Sequence, residues 1–245
     1  MLKKRNIMAR IKDYKDSLEY KNPELARQWH PTKNLSLLPS MVGPHSSKNI
    51  WWIYPYYDPN TGKHFEFEWK DTVNHRTAGR GCPFLTGRKI WVGFNDLMTT
   101  NPDICREWHY TKNEITPYDV SKGSTQKVWW IYPYDDPNTG KHFEFEWNIS
   151  INSVTSKSNT LICPFLSNQR IWRGYNDFPT FYPELLEEWH NNKNKSINPY
   201  NYSAKSDKKV WWRCMVCGHE WRTQIKNRTI GRGCPNYLQH NKSTI

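Results

Sequence analysis

From His64 to Trp69 the chain alternates polar and aromatic residues without a break. On an extended strand this puts Phe65, Phe67 and Trp69 on one face and His64, Glu66 and Glu68 on the other. The ring-rich stretch Trp51–Tyr57 precedes it. Between them Asp58-Pro59-Asn60-Thr61-Gly62 supplies turn residues and a glycine free to take positive φ, so the segment predicts a half-buried β-hairpin. The whole stretch WWIYPYYDPNTGKHFEFEW returns at Trp129–Trp147 with one change, Tyr57 to Asp135. A third version, WWRCMVCGHEW from Trp211 to Trp221, replaces the long turn by two cysteines. Ahead of each hairpin the pattern becomes helical. Leu25 and Trp29, Ile104 and Trp108, and Leu185 and Trp189 stand four apart and share one face of a short predicted helix ending near a Trp-His pair. Asn22 and Asn101 are the expected caps, Pro23 and Pro102 suit the first turn, and Glu24 and Asp103 complement the dipole.

The order helix, polar connector, hairpin, glycine and Cys-Pro loop thus occurs three times, with a period of roughly 80 residues, long enough for each repeat to be a small domain. The closing loops are RTAGRGCPFL (76–85), SNTLICPFL (158–166) and RTIGRGCPNY (228–237). The expected division is a basic arm (1–16), repeat 1 (17–87), repeat 2 (88–167), repeat 3 (168–240) and a tail (241–245), with the linkers 88–97 and 169–178 leading into the next helix. The fold class is α+β. His30, His109 and His190 recur at one position. A shared site and a structural hydrogen bond at the helix end both account for this, the structural one more simply.

Composition narrows the core. Aromatic residues make up 15% of the chain, with 14 Trp, so packing must rest on rings and be local. Six cysteines, unevenly spaced, are too few for a disulfide scaffold and point to reduced thiols in an intracellular compartment. Cys82, Cys105 and Cys163 stand alone and read as buried small hydrophobes. No apolar run is long enough for a signal peptide or a membrane span. No nucleophile, acid–base pair or nuclease-like carboxylate and lysine grouping stands out, which argues against an enzyme and a small-molecule substrate.

Chemistry concentrates in the third repeat. Cys214 and Cys217 have the spacing of a zinc knuckle, and Cys234 follows in the closing loop. Tyr237 stands where a fourth cysteine would complete the set, leaving His219, His240 or an outside group to do so, and His219 could also replace Cys217. In the first two repeats Tyr54 and Tyr132 take the place of Cys214, and a single thiol cannot hold zinc.

NPELARQWHPTKN, VWWRCMVCGHEW and RTIGRGCPNY together resemble the treble-clef or probable zinc-ribbon repeat family, widespread in giant viruses and found in some bacterial proteins. The resemblance covers nearly the whole chain. It implies three tandem zinc-stabilised units with ligands at Cys214, Cys217 or His219, and Cys234, the first two repeats being degenerate at the metal positions.

A formal charge of +12 favours polyanions. The first expectation is therefore nucleic-acid binding, with stacking aromatic side chains and phosphate contacts from Lys3, Lys4, Arg5, Arg10, Arg76, Arg80, Arg88, Lys89, Arg170, Arg173, Lys208, Lys209, Arg228 and Arg232. Against it, Glu66, Glu68, Glu144 and Glu146 should repel phosphate from one hairpin face. The second expectation is a structural or adaptor protein, such as a minor capsid component packaged in a virion. There Tyr54, Pro55, Tyr56, Tyr132, Pro133 and Tyr134 would meet equivalent surfaces of capsid or other assembly proteins.

Overall fold

The computed structural model describes residues 11, 13–156 and 163–236. Three two-stranded antiparallel hairpins carry the architecture: β1 (Asn49–Tyr57) with β2 (His64–Thr72), β3 (Lys127–Asp135) with β4 (His142–Ser150), and β5 (Lys209–Arg213) with β6 (Glu220–Gln224). Each is followed at once by one helical turn: α1 (Val73–Thr77), α2 (Ile151–Thr155) and α3 (Ile225–Thr229). The chain divides into two compact units. One holds the described residues up to Cys105 together with Glu114–Thr125, and the other Arg106–Asn113 together with those from Gln126 onward. Repeat 2 thus contributes to both.

Register follows from the alternation. Trp52 faces Trp69, Trp130 faces Trp147 and Trp212 faces Trp221 across the three hairpins. Phe67 and Trp69 are buried while His64 and Glu66 are exposed, as period-2 burial requires. The turn glycines Gly62 and Gly140 take φ of 70° and 68°, and Asp58 ties its turn by accepting from the Asn60 N–H at 3.0 Å and the Thr61 hydroxyl at 2.6 Å.

A lone ribbon is marginal in water, so each one needs cover. Trp29, Trp108 and Trp189 supply it, bridging to Trp52, Trp130 and Trp212 and meeting them edge to face at 5.7, 5.4 and 5.5 Å between ring centroids. Here the structure departs from the helical reading. The helix of repeat 1, Pro23–Ala26, stops before Trp29, and Asn22 makes no side-chain cap. Trp29 is buried from a strand-like bridge, not from the helix face it was expected to share with Leu25. A preceding helical turn in each repeat was not anticipated. Leu18–Lys21, Leu97–Thr100 and Phe178–Phe181 are capped by the side chains of Ser17, Asp96 and Asp177.

A polar clasp locks helix end to hairpin in all three repeats. The His30 Nδ1 accepts from the Thr32 and Lys33 backbone N–H groups at 3.2 and 3.1 Å, which leaves the proton on Nε2 to be donated to Glu68 Oε1 at 3.1 Å. Lys33 bonds the other oxygen of Glu68 and lies 4.8 Å over the Trp51 ring. His109, Lys112, Glu146 and Trp129 repeat the arrangement, as do His190, Lys193, Glu220 and Trp211. The recurring histidines are therefore structural. Beside them Asn34 accepts from the Trp51 N–H and donates to the Trp51 carbonyl, both at 2.8 Å; Asn113 and Asn194 do the same for Trp129 and Trp211.

Candidate metal centre and nucleic-acid interface

The third hairpin is short because its strands end at the thiols. Gly218, at φ 71°, turns the chain so that the Cys214 N–H reaches the His219 carbonyl at 2.9 Å and the Gly218 N–H the Cys214 carbonyl at 3.0 Å. This folds Cys217 back toward Cys214, and the closing loop brings Cys234 to them. The ligand atoms of all three lie within 4.8 Å of one another, with Cys217 and Cys234 sulfurs 3.8 Å apart. Burial opposes ionisation of the Cys214 thiol, but the N–H groups of Cys217 and Val216 outweigh it and hold its pKa below the ordinary value. Burial, together with the neighbouring Cys217 and Cys214, pushes Cys234 up to about 11. Cys214 is thus the readier to ionise and Cys234 the more resistant, a charge problem that a bound cation relieves. The donor set fits a thiophilic metal ion, which would tie the knuckle to the closing loop and so replace a hydrophobic core locally. Among the described residues no fourth donor joins. His219, a candidate ligand, instead lies stacked near Trp221, 6.1 Å between centroids and 13° between planes. His240 lies outside the described residues.

In repeat 1 rings take the place of thiols. Phe67, fully buried, is ringed by Tyr56, Phe65, Phe84, Trp91 and Phe94 at centroid distances of 6.0, 5.6, 5.3, 5.2 and 4.9 Å. In repeat 2 Phe145 is ringed likewise by Tyr134, Phe143, Phe165, Trp172 and Tyr175. The stretches 88–97 and 169–178 are thus not mere linkers, since each supplies two rings that close the hairpin before it. Tyr56 and Tyr134 face these clusters and, with Tyr54 and Tyr132, are partly covered, whereas Pro55 and Pro133 are exposed. Cys82, Cys105 and Cys163 are buried. Cys105 bonds the Asn101 carbonyl at 3.3 Å, and burial pushes its thiol up to about 11.

The basic residues separate into three groups. Arg76 and Arg228 are buried, each guanidinium lying between two tryptophans: 5.3 and 5.1 Å from Trp52 and Trp69, 5.5 and 5.4 Å from Trp212 and Trp221. Arg76 also bonds the Arg80 carbonyl and Gln28, and Arg228 the Arg232 carbonyl and Glu188, so these two fasten the glycine loop and offer no open face to phosphate. Arg80, Arg88, Lys89, Arg170, Arg173, Lys208, Lys209 and Arg232 are exposed. Lys3, Lys4, Arg5 and Arg10 lie outside the described residues. Around the first glycine loop, His75, Gly79, Arg80, Gly81, Thr86 and Arg88 line a shallow cavity of about 520 Å³. Arg88 is fixed there by donating to the Gly81 carbonyl at 2.7 Å and to Thr86 Oγ1 at 3.0 Å, and among the described residues it has no carboxylate partner. The expected repulsion from Glu68 and Glu146 is weakened, because Lys33 and Lys112 neutralise these carboxylates, and hydrogen bonds from them first, then from His30 and His109, hold the carboxylate pKa low.

Ring-covered hairpins, a fastened glycine loop and a thiol knuckle define a zinc-finger-like repeat scaffold. The chain belongs to the family described as probable treble clef zinc finger domain, whose model matches residues 25–84, 104–165 and 185–236. No curated protein matches the chain. Among the described residues no helix is long and apolar enough to cross a membrane.

Proposed function

We propose that this is a non-catalytic repeat protein that binds nucleic acid, with zinc held by Cys214, Cys217 and Cys234. The cavity at the first glycine loop carries the reading. It joins two exposed guanidinium groups, Arg80 and Arg88, to backbone at Gly79 and Gly81, the pairing of charge and close backbone approach that suits a phosphate. One of the two, Arg80, is 3.8 Å from Asp71, while Arg88 is held only by neutral oxygens and keeps its charge for a ligand. A net charge of +12 adds long-range attraction. The adaptor reading is weaker, because Phe94 and Tyr175 pack against Tyr56 and Tyr134 and so partly cover the surface it would use. Exposed Pro55 and Pro133 are what it retains.

Fluorescence anisotropy of labelled single- and double-stranded DNA and RNA across a salt titration tests the proposal. The expected result is binding with a steep log-log salt slope, and a slope smaller by about 1 to 2 when Arg80 and Arg88 are both changed to Ala. Absence of binding at about 100 mM salt, or a slope untouched by the double change, would overturn it.

A further inference from the structure

The closing turn of repeat 1 belongs to two cavities at once. Arg88 lines the arginine cavity, Phe84, Leu85 and Gly87 line a larger cleft of about 840 Å³, and Thr86 lines both. The turn is held in place, since the N–H groups of Thr86, Gly87 and Arg88 bond the carbonyls of Cys82, Phe84 and Pro83 at 3.3, 3.3 and 2.9 Å. All of the cleft lies within one compact unit. Its walls are mixed: Tyr56, Phe94 and the exposed Leu85 supply apolar surface, and Asn60, Thr99 and Ser121 supply amide and hydroxyl groups. Asp58, which also lines it, has its carboxylate tied by the Asn60 N–H and the Thr61 hydroxyl. Such walls suit a flat ring with polar edges.

Repeat 2 shows what closes the cleft. There Asn168 stands at the place of Gly87, its N–H bonding the Phe165 carbonyl as that of Gly87 bonds Phe84, and its Oδ1 accepts from Asn176 Nδ2 at 3.3 Å. Asn95, the counterpart of Asn176, lines the cleft in repeat 1. A Cβ at Gly87 would meet nothing within 4 Å, so the space into which Asn168 extends is open here. Gln169, bonded through its N–H to Pro164 as Arg88 is to Pro83, takes the arginine's place as well.

We propose that this cleft receives an unpaired base of a single-stranded nucleic acid whose phosphate lies on Arg88 in the adjoining cavity. The base site rests on the nucleic-acid reading above and narrows the ligand to single strands, because a paired base is stacked inside the duplex and cannot turn into a cleft beside its own backbone contact.

The test is anisotropy of the full chain with a labelled DNA strand, an abasic strand of equal length, and the first strand annealed to its complement. The intact strand should bind about fivefold or more tightly than the abasic one at equal salt. Gly87 has φ 70°, close to the 57° that Asn168 adopts, so Gly87→Asn should fold and remove most of that preference, leaving abasic-strand binding, duplex binding and the salt slope unchanged. Leu85→Ala, at an exposed position, should reduce the preference about twofold. Equal binding of intact and abasic strands, or a preference kept in both variants, would overturn the base site while the nucleic-acid reading stood on its salt slope. So would a loss in G87N that is equal for strand and duplex. Absence of all binding would overturn both.

Discussion

The first and third hairpins share one frame and close it differently. In both, a tryptophan from the preceding segment crosses paired tryptophans, a His-Glu-Lys clasp joins the two, and a buried arginine fastens the glycine loop. Beyond that frame the first hairpin runs on for nine residues per strand and is capped by rings, including Trp91 and Phe94. The third stops at five and is drawn together by three thiols. The two solutions are physically equivalent at one place in the fold: an ion concentrates cohesion into a few strong bonds, while rings spread it over area. A ring cap needs chain to build it, and Trp91 and Phe94 come from the stretch that follows the hairpin. Repeat 3 draws instead on its own closing loop, through Cys234.

The comparison sharpens most under metal removal. A chelator, or Cys217→Ser with Cys234→Ser, should strip order from the third hairpin while leaving the first intact. Hydrogen exchange at the Trp212 and Trp52 indoles would separate them, and equal loss at both would break the comparison. A smaller, opposite effect is expected of Phe67→Ala. It should cost repeat 1 about 3 to 5 kcal/mol in denaturant unfolding while the metal affinity of the three thiols stays unchanged. The least is expected from the shared clasp. Lys33→Ala should cost below about 1 kcal/mol at neutral pH, because the pair is partly exposed. Its sign with pH is fixed: Glu68 has a lowered folded pKa, so the clasp's contribution is present above the unfolded carboxylate value of 4.5 and fades as pH falls through the folded one. Unfolding measured from pH 7 to 3 should therefore show a flatter acid loss in K33A than in the wild type.

Much of this was legible in the chain. Period-2 alternation fixed the faces of β2 and β4, and Gly62 and Gly140 marked their turns, because both signals act over a few residues. The Cys214, Cys217 and Cys234 set was visible from spacing. What escaped depends on contacts far apart in sequence. Arg76 resembled its neighbour Arg80 as a surface charge, and only the fold buries one between Trp52 and Trp69 and exposes the other. Trp29 followed a helical spacing from Leu25, yet pairing with Trp52 overrode it. The exchange of Gly87 for Asn168 was readable by aligning the repeats, but its meaning required seeing the cleft that Gly87 leaves open.

One modest feature bears on how such a chain avoids misassembly. β1 and β3 are nearly the same sequence, and open ribbon edges of matched register invite wrong partners within a chain and between chains. Asn34 occupies both backbone groups of Trp51 with its amide, and Asn113 those of Trp129. A single side chain thus imitates the neighbour that a stray strand would otherwise become, and twin hairpins can share one polypeptide without zipping onto each other.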